Sequence, residues 1–150
     1  MTALRMATLL VLVIAAGCAG DGSQLGSGDM LDEMMESPQV TLADIQQDVF
    51  GAICINCHVT GGTADFMVLD SERASLASLV NVVSLEMPGL LRVAPEDPDQ
   101  SYLVWKVEGQ GPNGEAILGE RMPPASAGEA PLTAEQIADI RSWILDGALP

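Results

Sequence analysis

The stretch Gly51-Ala-Ile-Cys-Ile-Asn-Cys-His-Val-Thr-Gly-Gly62 decides how the rest of the chain is read. The sequence holds three cysteines and one histidine, and two of those cysteines and the histidine fall here, at Cys54, Cys57 and His58. Just upstream, Leu42, Ile45, Val49 and Ile53 recur at helical spacing, with Thr41 as N-cap and Asp44 three positions on. The spacing predicts a helix over 42–53 that delivers the chain straight into the Cys-x-x-Cys-His run.

Three more helices are expected downstream. A weaker one follows Asp70, where Leu76, Leu79, Val80 and Val83 recur at roughly helical intervals. Another starts at Asp97-Pro98, an N-cap followed by proline at the first helical position, carries Tyr102, Leu103, Trp105 and Lys106, and ends at Gly109. The last is the best specified. Thr133 caps it, Gln136 completes a capping box, and Leu132 and Ile137 form a hydrophobic staple. Ile137, Ile140 and Ile144 make its buried stripe beside Trp143, and Gly147 sits at the C′ position. No stretch alternates convincingly as a strand. The fold class expected is therefore mostly α, with long Gly- and Pro-rich loops.

Cys-x-x-Cys-His is the attachment signature of c-type haem. On one turn of backbone the two thiols each reach a vinyl group of the porphyrin, while the next imidazole meets the iron from the same side. Cys54 and Cys57 are expected as thioether anchors and His58 as the proximal iron ligand of one covalent haem c. Other chemistries use the same residue types. A redox-active Cys-x-x-Cys favours a thioredoxin-like βαβ context, which this sequence lacks. A zinc site needs a fourth ligand, and there is no second Cys-x-x-Cys or second histidine. A plain disulfide beside an incidental histidine also stays open.

A haem iron calls for a sixth ligand. With His58 the sole histidine, bis-histidine ligation within one chain is impossible, and methionine is the usual alternative in electron carriers. Past the motif the methionines are Met67, Met87 and Met122. Met87 and Met122 each precede a proline, which removes a backbone donor and fixes chain direction. Met122, in Gly119-Glu-Arg-Met-Pro-Pro124 just before the last helix, is the expected distal ligand; Met87 sits in an apolar stretch that reads more easily as packing.

The N-terminus reads as an address. Residues 1–17 hold Arg5 as a positive head and then an apolar run over 6–16, too short for a comfortable membrane span. Ile14-Ala-Ala-Gly-Cys18 resembles the lipobox of bacterial lipoproteins, with Ala15 where leucine is commonest. It implies cleavage before Cys18 and lipidation of that cysteine, an anchor of more than one acyl chain that holds a protein stably at a membrane. The alternative is an ordinary signal peptide cut nearby, which leaves Cys18 a stray thiol. Residues 18–40, rich in Gly, Ser and Asp, read as a flexible acidic tether, and 41–150 as the folded domain. Such a tether has a root-mean-square reach of about 25 Å.

Charge narrows the partners. The formal net charge of −15 disfavours nucleic acid as a partner, since a phosphate backbone needs a basic stripe. It fits either a solvated surface or steering toward a redox protein with a basic docking face, an attraction that salt weakens. Apolar residues make up 48%, enough for a core, but only five residues are aromatic: Phe50, Phe66, Tyr102, Trp105 and Trp143. A small domain so poor in large side chains gains from a bulky bound group that completes its core.

Taken together, the chain resembles a class I cytochrome c, and more narrowly the planctomycete-type cytochrome c domain. The resemblance covers about residues 42–148. It rests on Cys54-Ile-Asn-Cys-His58, Ala64-Asp-Phe-Met-Val-Leu-Asp-Ser71, Val93-Ala-Pro-Glu-Asp-Pro-Asp-Gln-Ser-Tyr-Leu103, Met122-Pro-Pro124 and the segment from Leu132 to Ala148. It implies a small cytochrome c-like helical fold around one haem, in which the first and last helices cross near Phe50 and Trp143 and the Met-Pro loop carries the distal ligand. Two departures stand out: polar Gln46 and Gln47 where a glycine is usual in the first helix, and a long loop over 109–121. Arg92, Tyr102, Trp105 and Arg121 are candidates for the haem propionates or for ordinary packing. The expected function is a single-haem, membrane-tethered electron carrier outside the cytoplasm, not an enzyme. The alternatives are a haem sensor or small haem enzyme with an open sixth iron position, and a haem-free scaffold lipoprotein.

Overall fold

The computed structural model describes residues 39–150, so the segment 1–17, Cys18 and the tether as far as residue 38 lie outside the described residues. The rest is mostly helical, with four α-helices: α1 (Leu42–Ile45), α2 (Glu72–Leu79), α3 (Tyr102–Glu108) and α4 (Ala134–Leu145). Among the described residues, extended pairing is limited to isolated bridges, Val80 with Val93, Val83 with Leu91 and Leu91 with Ser101. No helix among them is long and apolar enough to cross a membrane.

The first helix starts as its sequence dictates. Thr41 and Asp44 form a reciprocal capping box, in which the Thr41 amide donates to Asp44 Oδ2 at 2.9 Å and the Asp44 amide donates to Thr41 Oγ1 at 3.3 Å. These bonds hold the Asp44 carboxyl below the usual carboxylate range. The helix does not continue as α to Ile53, however. From Gln46 to Phe50 it widens into a π-helical turn, closed by the Gly51 amide donating to the Gln46 carbonyl at 2.7 Å. A side chain at Gly51 would put its Cβ 2.6 Å from that carbonyl oxygen, so glycine permits the closure. A short 3₁₀ turn, Cys54–Asn56, follows.

The segment predicted as one helix from Asp97 to Gly109 is also divided. A 3₁₀ turn, Pro98–Gln100, capped by Asp97, gives way to an extended Ser101 before α3 begins. Ser101 is fully buried and its hydroxyl donates to the Asp97 carbonyl at 2.9 Å while accepting from the Ala94 amide at 2.9 Å. Side-chain bonding of this kind competes with helix formation. The amides of Tyr102 and Leu103, meanwhile, donate to the carbonyls of Leu91 and Arg92. Tertiary pairing therefore overrides the local helical signal. Gly109 ends α3 in the left-handed region at φ 88°.

α4 forms as expected. Thr133 and Gln136 make the capping box, and the C-terminus closes as a Schellman motif: the Gly147 amide donates to Ile144 O and the Ala148 amide to Trp143 O. Ile140, Trp143 and Ile144 are buried against Leu42, Ile45, Val49 and Phe50 in one core. α1 and α3 both pack against α4, and the rings of Phe50 and Trp143 meet edge to face with centroids 6.5 Å apart. Gln136 Nε2 adds a bond to the Asp48 carbonyl at 3.2 Å. Every buried side-chain nitrogen or oxygen among the described residues has a hydrogen-bond partner.

Candidate functional site

Cys54, Cys57 and His58, singled out in the sequence, border a single cavity together with Met122, from the far end of the chain. Its volume is about 440 Å³, within the range of small-molecule and cofactor sites. The walls are mainly apolar, with Ile53, Leu69, Leu79, Leu103, Val107 and Leu132 contributing. Met67 also borders it, whereas Met87 is not among the lining residues.

Local backbone sets the motif's geometry. The 3₁₀ turn directs the amides of Cys57 and His58 onto the Cys54 carbonyl, at 3.2 and 2.9 Å, which keeps the three residues on one turn. His58 Nδ1 lies 3.1 Å from the Met67 carbonyl oxygen. A carbonyl can only accept, so Nδ1 carries the proton and Nε2 keeps its lone pair. Burial lowers the His58 pKa and the nearby cations Arg92 and Lys106 push the same way, while the carbonyls of Met67 and Ala64 oppose them. The balance favours the neutral imidazole, the state in which it binds a metal.

Neither motif cysteine is in a disulfide. Burial pushes the Cys54 thiol up to about 12, so it stays protonated at neutral pH, unlike the attacking thiol of a redox Cys-x-x-Cys pair. In haem-free protein, iodoacetamide is expected to alkylate Cys54 at pH 8 roughly a thousandfold more slowly than an ordinary thiol, in proportion to the thiolate fraction. Quantifying the labelled peptide by mass spectrometry checks this; labelling at the ordinary rate would contradict a buried thiol. Among the described residues, no group of three His, Cys, Asp or Glu side chains is placed to hold a metal ion by itself.

Two cations face the cavity. Arg92 donates from Nη1 to the Ser78 carbonyl at 2.7 Å and lies over the Phe66 ring, 5.9 Å from its centroid. Lys106 is buried, donates to the Leu118 carbonyl at 2.9 Å and pairs with Glu86 at 3.0 Å. Of the residues named from sequence as partners for acidic groups, Arg92 and Tyr102 border the cavity, and Trp105 and Arg121 do not. The Trp105 indole instead donates to the Asp99 carbonyl at 2.8 Å. Lys106 was missed. Its signal was its position four residues after Tyr102, on the same helix face.

The connections around the site are tied down. The loop over 109–121 does not line the cavity but folds back on α3, where the Leu118 amide donates to Tyr102 Oη at 3.0 Å. The Met122 amide donates to the Lys106 carbonyl at 2.7 Å, fixing the start of the Met-Pro-Pro segment. Asn56, inside the Cys-x-x-Cys-His run, donates to Glu129 at 3.2 Å and so links the two cavity-lining segments. Comparison with known protein families, curated proteins and solved structures finds no match.

Proposed function

We propose that the chain is a single-haem c-type cytochrome, an electron carrier tethered through lipid on Cys18 to a bacterial membrane and facing the periplasm or cell exterior. On this reading residues 41–150 are its cytochrome c-like domain, 1–17 its lipoprotein signal peptide and 18–40 its tether. One observation carries the proposal: Cys54, Cys57, His58 and Met122 share one largely apolar cavity, with His58 Nδ1 engaged by a carbonyl and Nε2 left for a metal.

The residues present fit the group. Two thiols on one turn suit thioether attachment, the neutral imidazole suits iron, and the apolar walls suit a porphyrin's faces. Bound there, haem supplies one-electron exchange between ferrous and ferric iron. The chain's part is to hold, shield and tune. Cys54 and Cys57 anchor, His58 and Met122 ligate, and the aliphatic walls exclude water. Arg92 and Lys106 supply positive charge against the group's acidic side chains.

The surface favours a basic partner. Outside the cavity, Arg141 is committed to ion pairs with Asp99 and Glu108, while the net charge is −15. Association with a cationic redox protein is steered by this field and weakens with salt.

Production in a host competent for cytochrome maturation tests the core of the proposal. The denatured, purified protein is expected to stain for haem and to carry the mass of one covalent haem, and Cys54→Ser with Cys57→Ser to abolish both. A colourless wild-type protein would overturn the assignment. Carbon monoxide binding to the native ferrous form would favour the open-site sensor or enzyme instead.

A further inference from the structure

We propose that Gln46 is a positioning residue for His58, acting through the strap of residues 67–69, an inference that rests on His58 being the iron ligand. The strap is held at almost every polar backbone atom. The Met67 amide donates to Ala64 O at 3.2 Å, and the Met67 carbonyl accepts from His58 Nδ1 at 3.1 Å. The Val68 amide donates to Ser78 Oγ at 3.2 Å. The Leu69 amide donates to the His58 carbonyl at 2.8 Å, and the Leu69 carbonyl accepts from Gln46 Nε2 at 2.8 Å. Ser75 Oγ in turn donates to Gln46 Oε1 at 2.8 Å, so both ends of the Gln46 amide are engaged and its orientation is fixed.

The π turn makes this reach part of the helix. Gln46 is the residue whose carbonyl Gly51 closes on, and its side chain meets the strap while Ile45 and Val49 stay buried in the core. Such turns recur at functional sites. The polar residue that departs from the expected glycine thus has a specific task.

The physical link is the Nδ1–H bond. A carbonyl held firmly against Nδ1–H fixes the tautomer and ring orientation and raises the basicity of Nε2. A strap released at Leu69 lets the Met67 carbonyl drift. The imidazole then becomes a weaker donor to ferric iron, and the reduction potential rises.

The test uses the haem-loaded protein. Gln46→Met keeps the side chain's size and loses both bonds, whereas Gln46→Glu keeps the acceptor for Ser75 and loses the donor to Leu69. Gln136→Ala serves as a stability control, because it removes the α4 capping partner and the Asp48 contact without touching the strap. In the Gln46 variants, exchange of the His58 Nδ1 proton with solvent, read by NMR in the reduced state, is expected to accelerate roughly tenfold. The potential is expected to move upward with it. Gln136→Ala is expected to lower the unfolding midpoint and leave both readouts unchanged. Should Gln46→Met fail to fold, Ser75→Ala loosens Gln46 from one side and is expected to move both readouts the same way, by less.

Wild-type exchange and potential in the Gln46 variants, or changes that merely track stability across all variants, would overturn the inference while leaving the haem assignment standing. A wild-type protein without haem would overturn both.

Discussion

Trp143→Ala is expected to destabilise the fold by about 3–5 kcal/mol, the usual cost of deleting a large buried aromatic. Trp143 is 2% exposed and among the largest fully buried side chains. Three separate contributions meet there. Its ring fills the space between the first and last helices against Phe50, at an interplanar angle of 82°. Its indole nitrogen donates to the Leu149 carbonyl at 2.8 Å, and its own carbonyl accepts from Ala148. The substitution removes the ring and leaves the Leu149 carbonyl without its indole partner, while the Trp143–Ala148 backbone bond can persist. A domain of this size has only about 5–15 kcal/mol to lose, so the variant should sit near the edge of folding. Denaturant unfolding followed by far-ultraviolet circular dichroism measures the loss. A double-mutant cycle with Phe50→Ala should return a coupling of about 0.5–1.5 kcal/mol for the edge-to-face pair. A loss under about 1 kcal/mol for Trp143→Ala alone would mean that the two helices do not depend on this contact.

On the proposed haem-binding reading, with Met122 as the distal ligand, Met122→Ala is expected to have the largest effect on redox behaviour. Met122 borders the same cavity as His58, and its backbone is held by Lys106 and followed by the buried Pro123 and half-buried Pro124. A thioether ligand favours ferrous iron and raises the potential. Its removal should therefore lower the potential, by on the order of 0.1 V or more within the roughly 0.8 V span that axial ligands command. The thioether-to-iron charge-transfer band of the oxidised protein should vanish, and the ferrous form should become open to carbon monoxide. Met87→Ala, outside the cavity, should leave the spectrum and the potential as they were. Met67 borders the cavity but packs against the core, so Met67→Ala should lower stability more than potential. An unchanged spectrum for Met122→Ala combined with a changed one for Met67→Ala would transfer the ligand role.

Legibility followed how local each determinant is. The last helix could be read nearly residue by residue, because its capping box, buried stripe and C′ glycine lie within a few positions of one another and depend on nothing distant. The Cys-x-x-Cys-His run was visible for the same reason. The division at Ser101 was not, since it depends on Leu91 and Arg92 pairing with the backbone of Tyr102 and Leu103. The π turn was hidden because one residue of extra winding hardly disturbs an apolar pattern as short as Leu42, Ile45 and Val49. At the site, Met67 contributes a backbone oxygen, for which side-chain patterns carry no signal. Lys106 takes its role from a loop that returns to it more than ten residues later, with the Leu118 carbonyl as acceptor.

The widened winding at Gln46–Phe50 amounts to one spare residue in the opening helix. An α-helix turns about 100° per residue, so deleting one position there would restore ordinary winding and swivel everything before it by about that angle. Leu42 and Ile45, now fully inside, would swing toward solvent, and Thr41 would carry its cap to another side of the molecule. The register of this one coil therefore decides on which side of the folded body the chain enters at Val40 and Thr41.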